Sequence, residues 1–331
     1  MTPFELTKRL IDIESITGHE LAVAEFLANH LARSGFRVAR QEVAPNRPNL
    51  WVTTGSRPRV VLCTHLDTVP PFYPASEDAD FIYGRGACDV KGILAAMVFA
   101  AENLLREGVR EFGLLFLCGE ETNSIGAHTS NELSPTSEYI IVGEPTGNKL
   151  AAGHKGLLAL MCTATGRACH AAFPQLGESA VDKLLDFLHR VRTAEFEADP
   201  VLGTPSLNIG LIRGGVAHNV VADHAEATVS IRTPTATSAL LAQIEALAGD
   251  GIDLKIMTRS EPQKLFTVTG FEQAVMPYCT DIPHLRSWGK PLLIGPGDPR
   301  TAHTDGERIE KKQGLAAVEV YADLVRKLLS L

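Results

Sequence analysis

Val60-Val61-Leu62-Cys63-Thr64-His65-Leu66-Asp67 opens with an unbroken apolar run and closes on a histidine and an aspartate two residues apart. Apolar character without alternation marks a strand covered on both faces, as in the middle of a sheet with helices on either side. Polar residues at the end of such a strand emerge where open α/β sheets collect their working groups, beyond the carboxyl ends of the strands. The expected fold is therefore α/β, with a mixed, largely parallel central sheet flanked by helices.

Outward from that strand, the chain keeps the same rhythm. Residues 3–14 and 19–34 carry apolar residues at helical spacing (Leu21, Ala24, Leu27, Ala28, Leu31), with Gly35 as a C′ glycine that stops the second helix. Phe36–Val43, Leu50–Thr54 and Arg59–Thr64 read as strands. A helix is expected over Lys91–Gly108, with Asp89 at or near its N-cap. Strands follow at Phe112–Cys118, Tyr139–Val142 and Pro291–Ile294, then a Gly-Pro-Gly turn and a last helix from about Glu307 to Leu329.

The middle of the chain has its own order: strand Leu157–Thr165, helix Ser179–Arg192, strands Ser206–Ile212 and Ala225–Arg232, helix Ser238–Ala248, strand Asp253–Thr258. This β-α-β-β-α-β pattern matches a split βαβ, ferredoxin-like unit inserted into the α/β domain. The domains expected are thus 1–156 and 263–331, the two parts of a catalytic domain, and 157–262, the insertion.

A chain of 331 residues, 45% apolar and 21% charged, can bury a large core and suits two domains. Its net charge of -8 and the lack of any Lys/Arg-rich run disfavour nucleic acid or an anionic membrane as partner, and favour a small solute. The six cysteines form no Cys-x-x-Cys pair, which reads as reduced thiols. The amino terminus lacks an apolar signal core, and no apolar run reaches the length of a membrane span, so the cytoplasm is expected.

Beyond the strand ends lie His65 and Asp67, Glu120-Glu121, Glu144 and the loop holding His303, while Asp89 opens a helix after a glycine turn. Singly, each has an ordinary explanation: a strand-end histidine, an N-cap, a solvated acidic loop, a turn opener, a surface histidine. Their recurrence at successive strand ends is what points to one site. Two imidazoles with several carboxylates suit Zn²⁺, Mn²⁺ or Co²⁺ and do not suit copper or iron–sulfur centres.

His65-Leu66-Asp67-Thr68-Val69-Pro70, Gly84-Arg85-Gly86-Ala87-Cys88-Asp89-Val90-Lys91-Gly92, Gly119-Glu120-Glu121, Val142-Gly143-Glu144-Pro145-Thr146 and Gly295-Pro296-Gly297-Asp298 with Ala302-His303-Thr304 together resemble the motifs of a known family. It is the dinuclear metallopeptidase and amidohydrolase family of acetylornithine deacetylase, succinyl-diaminopimelate desuccinylase, aminoacylase and the glutamate carboxypeptidases. The resemblance spans essentially the whole chain. It implies that Asp89 bridges two divalent cations, zinc first and cobalt or manganese as alternatives, with His65 and Glu144 completing one site and Glu121 and His303 the other. It implies Glu120 as general base and Asp67 as the carboxylate that orients His65.

In the insertion, Gly166-Arg167-Ala168-Cys169-His170-Ala171-Ala172-Phe173-Pro174 resembles the family segment whose histidine reaches the reacting carbonyl, commonly across a homodimer formed by this domain. His170 is thereby the implied oxyanion group, and Asn208, Asn219 and Arg232 match substrate-contacting positions, an Arg fork suiting a substrate carboxylate. Val220-Val221 stands where the family often has a proline, and the stretch from Phe266 to His284 matches no pattern.

The implied activity is hydrolysis of the amide bond of a small N-acyl amino acid or short peptide bearing a free α-carboxylate. Gly153-His154-Lys155-Gly156 and the Gly-Pro-Gly-Asp turn resemble the acetylornithine and acetyl-lysine deacetylases of amino-acid biosynthesis. A succinyl-diaminopimelate desuccinylase, a dipeptidase or a carboxypeptidase is the alternative within the family. Outside it stand a catalytically silent peptide-binding relative, which should have lost ligands or Glu120, and a structural Ca²⁺ site, which would not call for two histidines.

Overall fold

Arg37–Ala44 and Arg47–Thr53 form an antiparallel hairpin whose second strand pairs antiparallel with Phe112–Leu117; Val60–His65, Tyr139–Val142 and Lys290–Leu293 then follow in space, each parallel to its neighbour. This is the mixed, largely parallel sheet the sequence predicts. The computed structural model describes residues 1–55, 57–133 and 136–331. Val60–His65 is buried at every position, as its unbroken apolar run requires.

Helices Pro3–Asp12, Leu21–Arg33, Gly92–Arg106 and Lys311–Leu329 share one core with the sheet, in which Leu27, Leu31, Leu94, Met97, Tyr321 and Leu324 join Leu62, Leu114, Phe116 and Ile141. The first helix is opened by a capping box between Thr2 and Glu5, and the second is followed by Gly35 at φ 93°.

Register positions the site. His65 lies beside Leu117, Cys63 beside Val142, and Val142 beside Leu293. The segments that follow these strands therefore leave the sheet at one edge.

Two local expectations are corrected. The last helix begins at Lys311 and not near Glu307, because Arg308–Glu310 pairs as a strand with Phe81–Tyr83. Asp89 is not the N-cap of the helix that starts at Gly92: its backbone sits at φ −122°, ψ 83°, and the helix start has no side-chain cap. Its carboxylate faces histidines instead.

The chain divides into two compact units, one comprising Met1–Ala151, Leu265–Ala274 and Thr280–Leu331, the other Ala152–Lys264 and Val275–Cys279. Residues 275–279, placed with the second catalytic segment in the sequence reading, go with the inserted unit. In that unit Gly156–Thr165 pairs antiparallel with His224–Thr233 and Ile252–Ser260, and Ser206–Gly214 pairs antiparallel with His224–Thr233. Helices Ala180–Thr193 and Thr237–Leu247 cover one face, packing Leu184, Phe187, Val191, Leu240 and Ile244 on Leu158, Leu160, Val229 and Ile231. This is the split β-α-β-β-α-β arrangement. Among the described residues, no helix is long and apolar enough to cross a membrane.

Candidate metal centre and active site

Where the parallel strands end, Asp89 stands between two histidines: Oδ1 lies 3.1 Å from His65 Nε2 and Oδ2 lies 3.2 Å from His303 Nε2. Each imidazole also faces another carboxylate. Glu144 Oε1 is 3.9 Å from His65 Nε2, and Glu121 Oε2 is 3.1 Å from His303 Nε2. One donor atom from each of His65, Asp89 and Glu121 lies within 4.8 Å of the other two. The group thus divides about Asp89 into a His65–Glu144 half and a His303–Glu121 half.

His65 is delivered by the end of the central strand, with Nδ1 3.0 Å from the backbone oxygen of Asp67. Donating Nδ1–H to that carbonyl leaves Nε2 to face Asp89. The Asp67 carboxylate is turned mainly elsewhere. Its Oδ1 is 3.6 Å from His65 Nδ1 but accepts the backbone N–H groups of Gly119 at 3.0 Å and Glu120 at 3.1 Å. Its Oδ2 accepts Glu121 N–H at 3.2 Å and the Thr17 hydroxyl at 2.7 Å. The acidic loop is therefore wrapped around one buried carboxylate, a bend that Gly119 makes possible with φ 81°.

The electrostatics follow from crowding. Burial raises the carboxyls of Glu120 and Glu144 well above the ordinary range, with nearby carboxylates adding to it and His65 opposing. Burial likewise raises Glu121, against its hydrogen bond from His303. Asp89 goes the other way: burial works against its charge, but hydrogen bonds from His303 and His65 hold it well below the usual carboxylate range. His303 is pushed up to about 10 by Asp89 and then Glu121. His65 lies well above its ordinary value although burial opposes this, because the Asp67 and Asp89 carboxylates outweigh burial. Protons on the two imidazoles supply positive charge that the carboxylates demand, and divalent cations meet the same demand. A donor set of two imidazole nitrogens and three carboxylates fits zinc, manganese or cobalt.

Several residues of this site carry no local mark in the sequence. Thr17 reaches Asp67 from the chain before the sheet. Asp281 is buried and hydrogen-bonded by Ser124, with Oδ1 lacking a partner among the described residues. Burial pushes its carboxyl up to about 6, against that hydrogen bond. It falls in the stretch that matched no pattern. Arg85, which lies inside the Gly84–Gly92 segment but was given no role there, forms a buried ion pair with Glu307 beside Asp89.

In the inserted unit, His170 and Asn219 come together, Ala171 N–H donating to Asn219 O at 3.0 Å. His170 Nδ1 accepts the Ala172 N–H at 3.0 Å, so the ring proton of its neutral form is on Nε2. Asn208 pairs with Ser230, two residues from Arg232, which puts Asn208 and Arg232 on one face of that sheet, opposite the helices. Arg232 Nη1 is 3.5 Å from Cys279 Sγ.

Residues 61–327 match the model of a family described as Peptidase family M20/M25/M40. A peptidase M20 domain-containing protein of Schizosaccharomyces pombe is 38% identical over 332 residues, spanning 97% of this chain and 83% of its own. A probable carboxypeptidase of Aspergillus niger is 38% identical over 362 residues, spanning 96% and 87%. Among solved structures, the aminopeptidase PepT from Bacillus cereus shares the fold with a TM-score of 0.82 at 18% identity, over 99% of this chain and 98% of its own. The Bacillus subtilis YXEP protein, a dinuclear metal binding peptidase, does so with a TM-score of 0.72 at 12% identity, over 99% and 98%.

Proposed function

The chain belongs to peptidase family M20/M25/M40 and is a hydrolase acting on peptide bonds, and from that premise we propose that it splits the amide bond on the amino side of a carboxy-terminal amino acid, in a short peptide or an N-acyl amino acid. The observation that carries the reading is the division of Asp89, one oxygen to His65 and the other to His303.

In this reading His65, Glu144 and Asp89 would hold one divalent cation, and His303, Glu121 and Asp89 a second, zinc first among candidates and cobalt or manganese next. Bound there, such cations polarise the scissile carbonyl and acidify water. Glu120 takes the proton from the attacking water and returns it to the leaving nitrogen, while Asp67 keeps Glu120 in place through the loop it binds. His170, with its proton on Nε2, donates to the oxygen that becomes negative. Arg232, Asn208 and Asn219 are the candidates for holding the substrate, Arg232 matching its α-carboxylate.

Relatives named as carboxypeptidases favour a broad class of substrates with a free carboxylate; N-acetylornithine and N-acetyl-lysine are narrower candidates within it. The edge strand Ser206–Gly214, with Leu211 and Ile212 54% and 53% exposed, supports a homodimer formed through the inserted unit. Free cysteines support a cytoplasmic setting.

The test is turnover by chelator-stripped protein before and after adding Zn²⁺ or Co²⁺, on short peptides, their C-terminal amides, N-acetylornithine, N-acetyl-lysine and succinyl-diaminopimelate. Metal-restored cleavage that is lost when the terminal carboxylate is amidated is expected. Equal cleavage of the amides, or no turnover on any of these, contradicts the reading.

A further inference from the structure

Three segments that carry site residues meet at a point behind the carboxylates: the chain following Asp67, the turn leading to Asp89, and the loop following His303. The meeting point is an ion pair, Arg85 Nη1 to Glu307 Oε2 at 2.6 Å, with the two side chains 2% and 1% exposed. The other Glu307 oxygen, Oε1, accepts the backbone N–H groups of Cys88 and Asp89, each at 3.1 Å. Arg85 donates through Nε to Pro71 O at 3.1 Å and through Nη1 to Thr304 O at 3.3 Å. The backbone is tied as well, Arg85 N–H donating to Tyr73 O at 3.0 Å and Gly84 N–H to Glu307 O at 3.1 Å.

A fully buried ion pair is poor evidence of stabilisation, since removing both charges from water costs about as much as their attraction returns, and well-packed apolar side chains often serve as well. What this pair supplies that apolar side chains cannot is direction. Glu307 grips the peptide N–H of Asp89 itself, and Arg85 grips the carbonyl of the residue after His303.

The two halves of the site differ in how much else holds them. His65 ends a strand buried throughout, and its Nδ1 is fixed by Asp67 O. His303 sits on a loop at φ 62°, and its side chain is 50% exposed. Loosening the joint should therefore displace His303 and Asp89 Oδ2 more than His65.

We propose that Glu307, clamped by Arg85, is a positioning residue that aligns Asp89 Oδ2 with His303, so that the affinity of the His303–Glu121 half for its cation depends on the Glu307 carboxylate while that of the His65–Glu144 half does not. The inference rests on the two-cation reading above.

Cobalt titration of the stripped full-length protein, followed by its visible absorption and by equilibrium dialysis, tests it in the wild type, Glu307→Gln and Arg85→Lys, with a thermal melt of each stripped protein to verify folding. The wild type should take up two Co²⁺ per chain. Each variant should keep one site and bind the second about 10–100-fold more weakly, the usual scale for losing a partner that orients a ligand. The kcat of each variant should fall with KM little changed, and excess Co²⁺ should restore part of kcat. A Glu307→Gln protein that binds both ions as the wild type does, or weakens both alike, overturns the proposal. If Glu307→Gln does not fold, Glu307→Asp, which keeps the charge and shortens its reach, is judged by the same outcomes. A wild-type protein that takes up fewer than two ions refutes the two-cation reading and this inference with it; two ions in the wild type, with the second bound as tightly by the variant, refute the inference alone.

Discussion

The carboxylate of Asp67 accepts the backbone N–H of Glu120 at 3.1 Å, and it accepts those of Gly119 and Glu121 at 3.0 Å and 3.2 Å. One buried side chain thereby fixes the backbone of the proposed base and of the proposed ligand beside it. Asp67→Ala leaves these donors without their acceptor, at about 1–3 kcal/mol for each that stays buried. Displacing the base by an ångström can cost about 100-fold in rate. The expected outcome is a lower melting temperature together with a kcat loss of about that size, and an intermediate effect for Asp67→Asn, which keeps one oxygen. Steady-state kinetics and melts of the two variants check this; wild-type kcat in Asp67→Ala would show that the loop holds itself.

Glu102 provides a pH-dependent contribution to stability away from the site. Its carboxylate accepts the Ser34 hydroxyl at 2.6 Å and faces His30 Nε2 at 3.1 Å. Burial alone would raise its pKa, but His30 and Ser34 prevail and hold it below the ordinary 4.5. A carboxyl with a depressed folded pKa binds fewer protons in the folded state. Its contribution is therefore present above the unfolded value and lost as pH falls through the folded one. Glu102→Gln should be less stable than the wild type at neutral pH, with the gap closing below about pH 4.5 in urea unfolding series. A gap that is constant down to about pH 3 contradicts the assignment.

His170→Ala should keep the cation content and lose about 100- to 1,000-fold in kcat, the scale for removing one oxyanion donor. Mixing His170→Ala subunits with Glu120→Ala subunits tells where the donor acts. Recovered activity in the heterodimer means that His170 serves the partner's site, and no recovery means that it serves its own or that another group is the donor.

Removing the cations should destabilise the protein, because the donors are gathered only in the folded state. At a free metal concentration a hundredfold above Kd, one site contributes about 2.7 kcal/mol. Chelated protein should therefore melt measurably lower and recover when Zn²⁺ or Co²⁺ is returned. A melting temperature indifferent to both treatments contradicts binding at this place.

The convergence of His65, Asp67, Glu120, Glu121 and Glu144 was legible because it depends on short-range rules: apolar runs make buried strands, parallel strands end at one edge, and the following residues emerge there. Asp89 shows the limit of such rules. An acidic residue just before a helix is the signature of an N-cap, and only the arrival of His65 and His303 from elsewhere decides that its carboxylate faces imidazoles. The start of the last helix was misjudged for a similar reason. Arg308–Glu310 pairs with Phe81–Tyr83, over two hundred residues earlier, and nothing in the local pattern announces that pairing. Thr17, Arg85, Asp281 and Glu307 likewise act through partners distant in sequence, Asp67 lying 50 residues from Thr17 and Glu307 222 from Arg85. Only the fold reveals them.

The most direct test of the account is Glu120→Gln, measured for bound metal and for turnover on the substrate that the wild type cleaves best. The variant is expected to hold as much metal as the wild type and to bind substrate with similar affinity, with kcat reduced by about 100- to 10,000-fold, the range attributed to a general base. Turnover near the wild-type rate with metal content unchanged would contradict the account, because the proton would then be moving through another group.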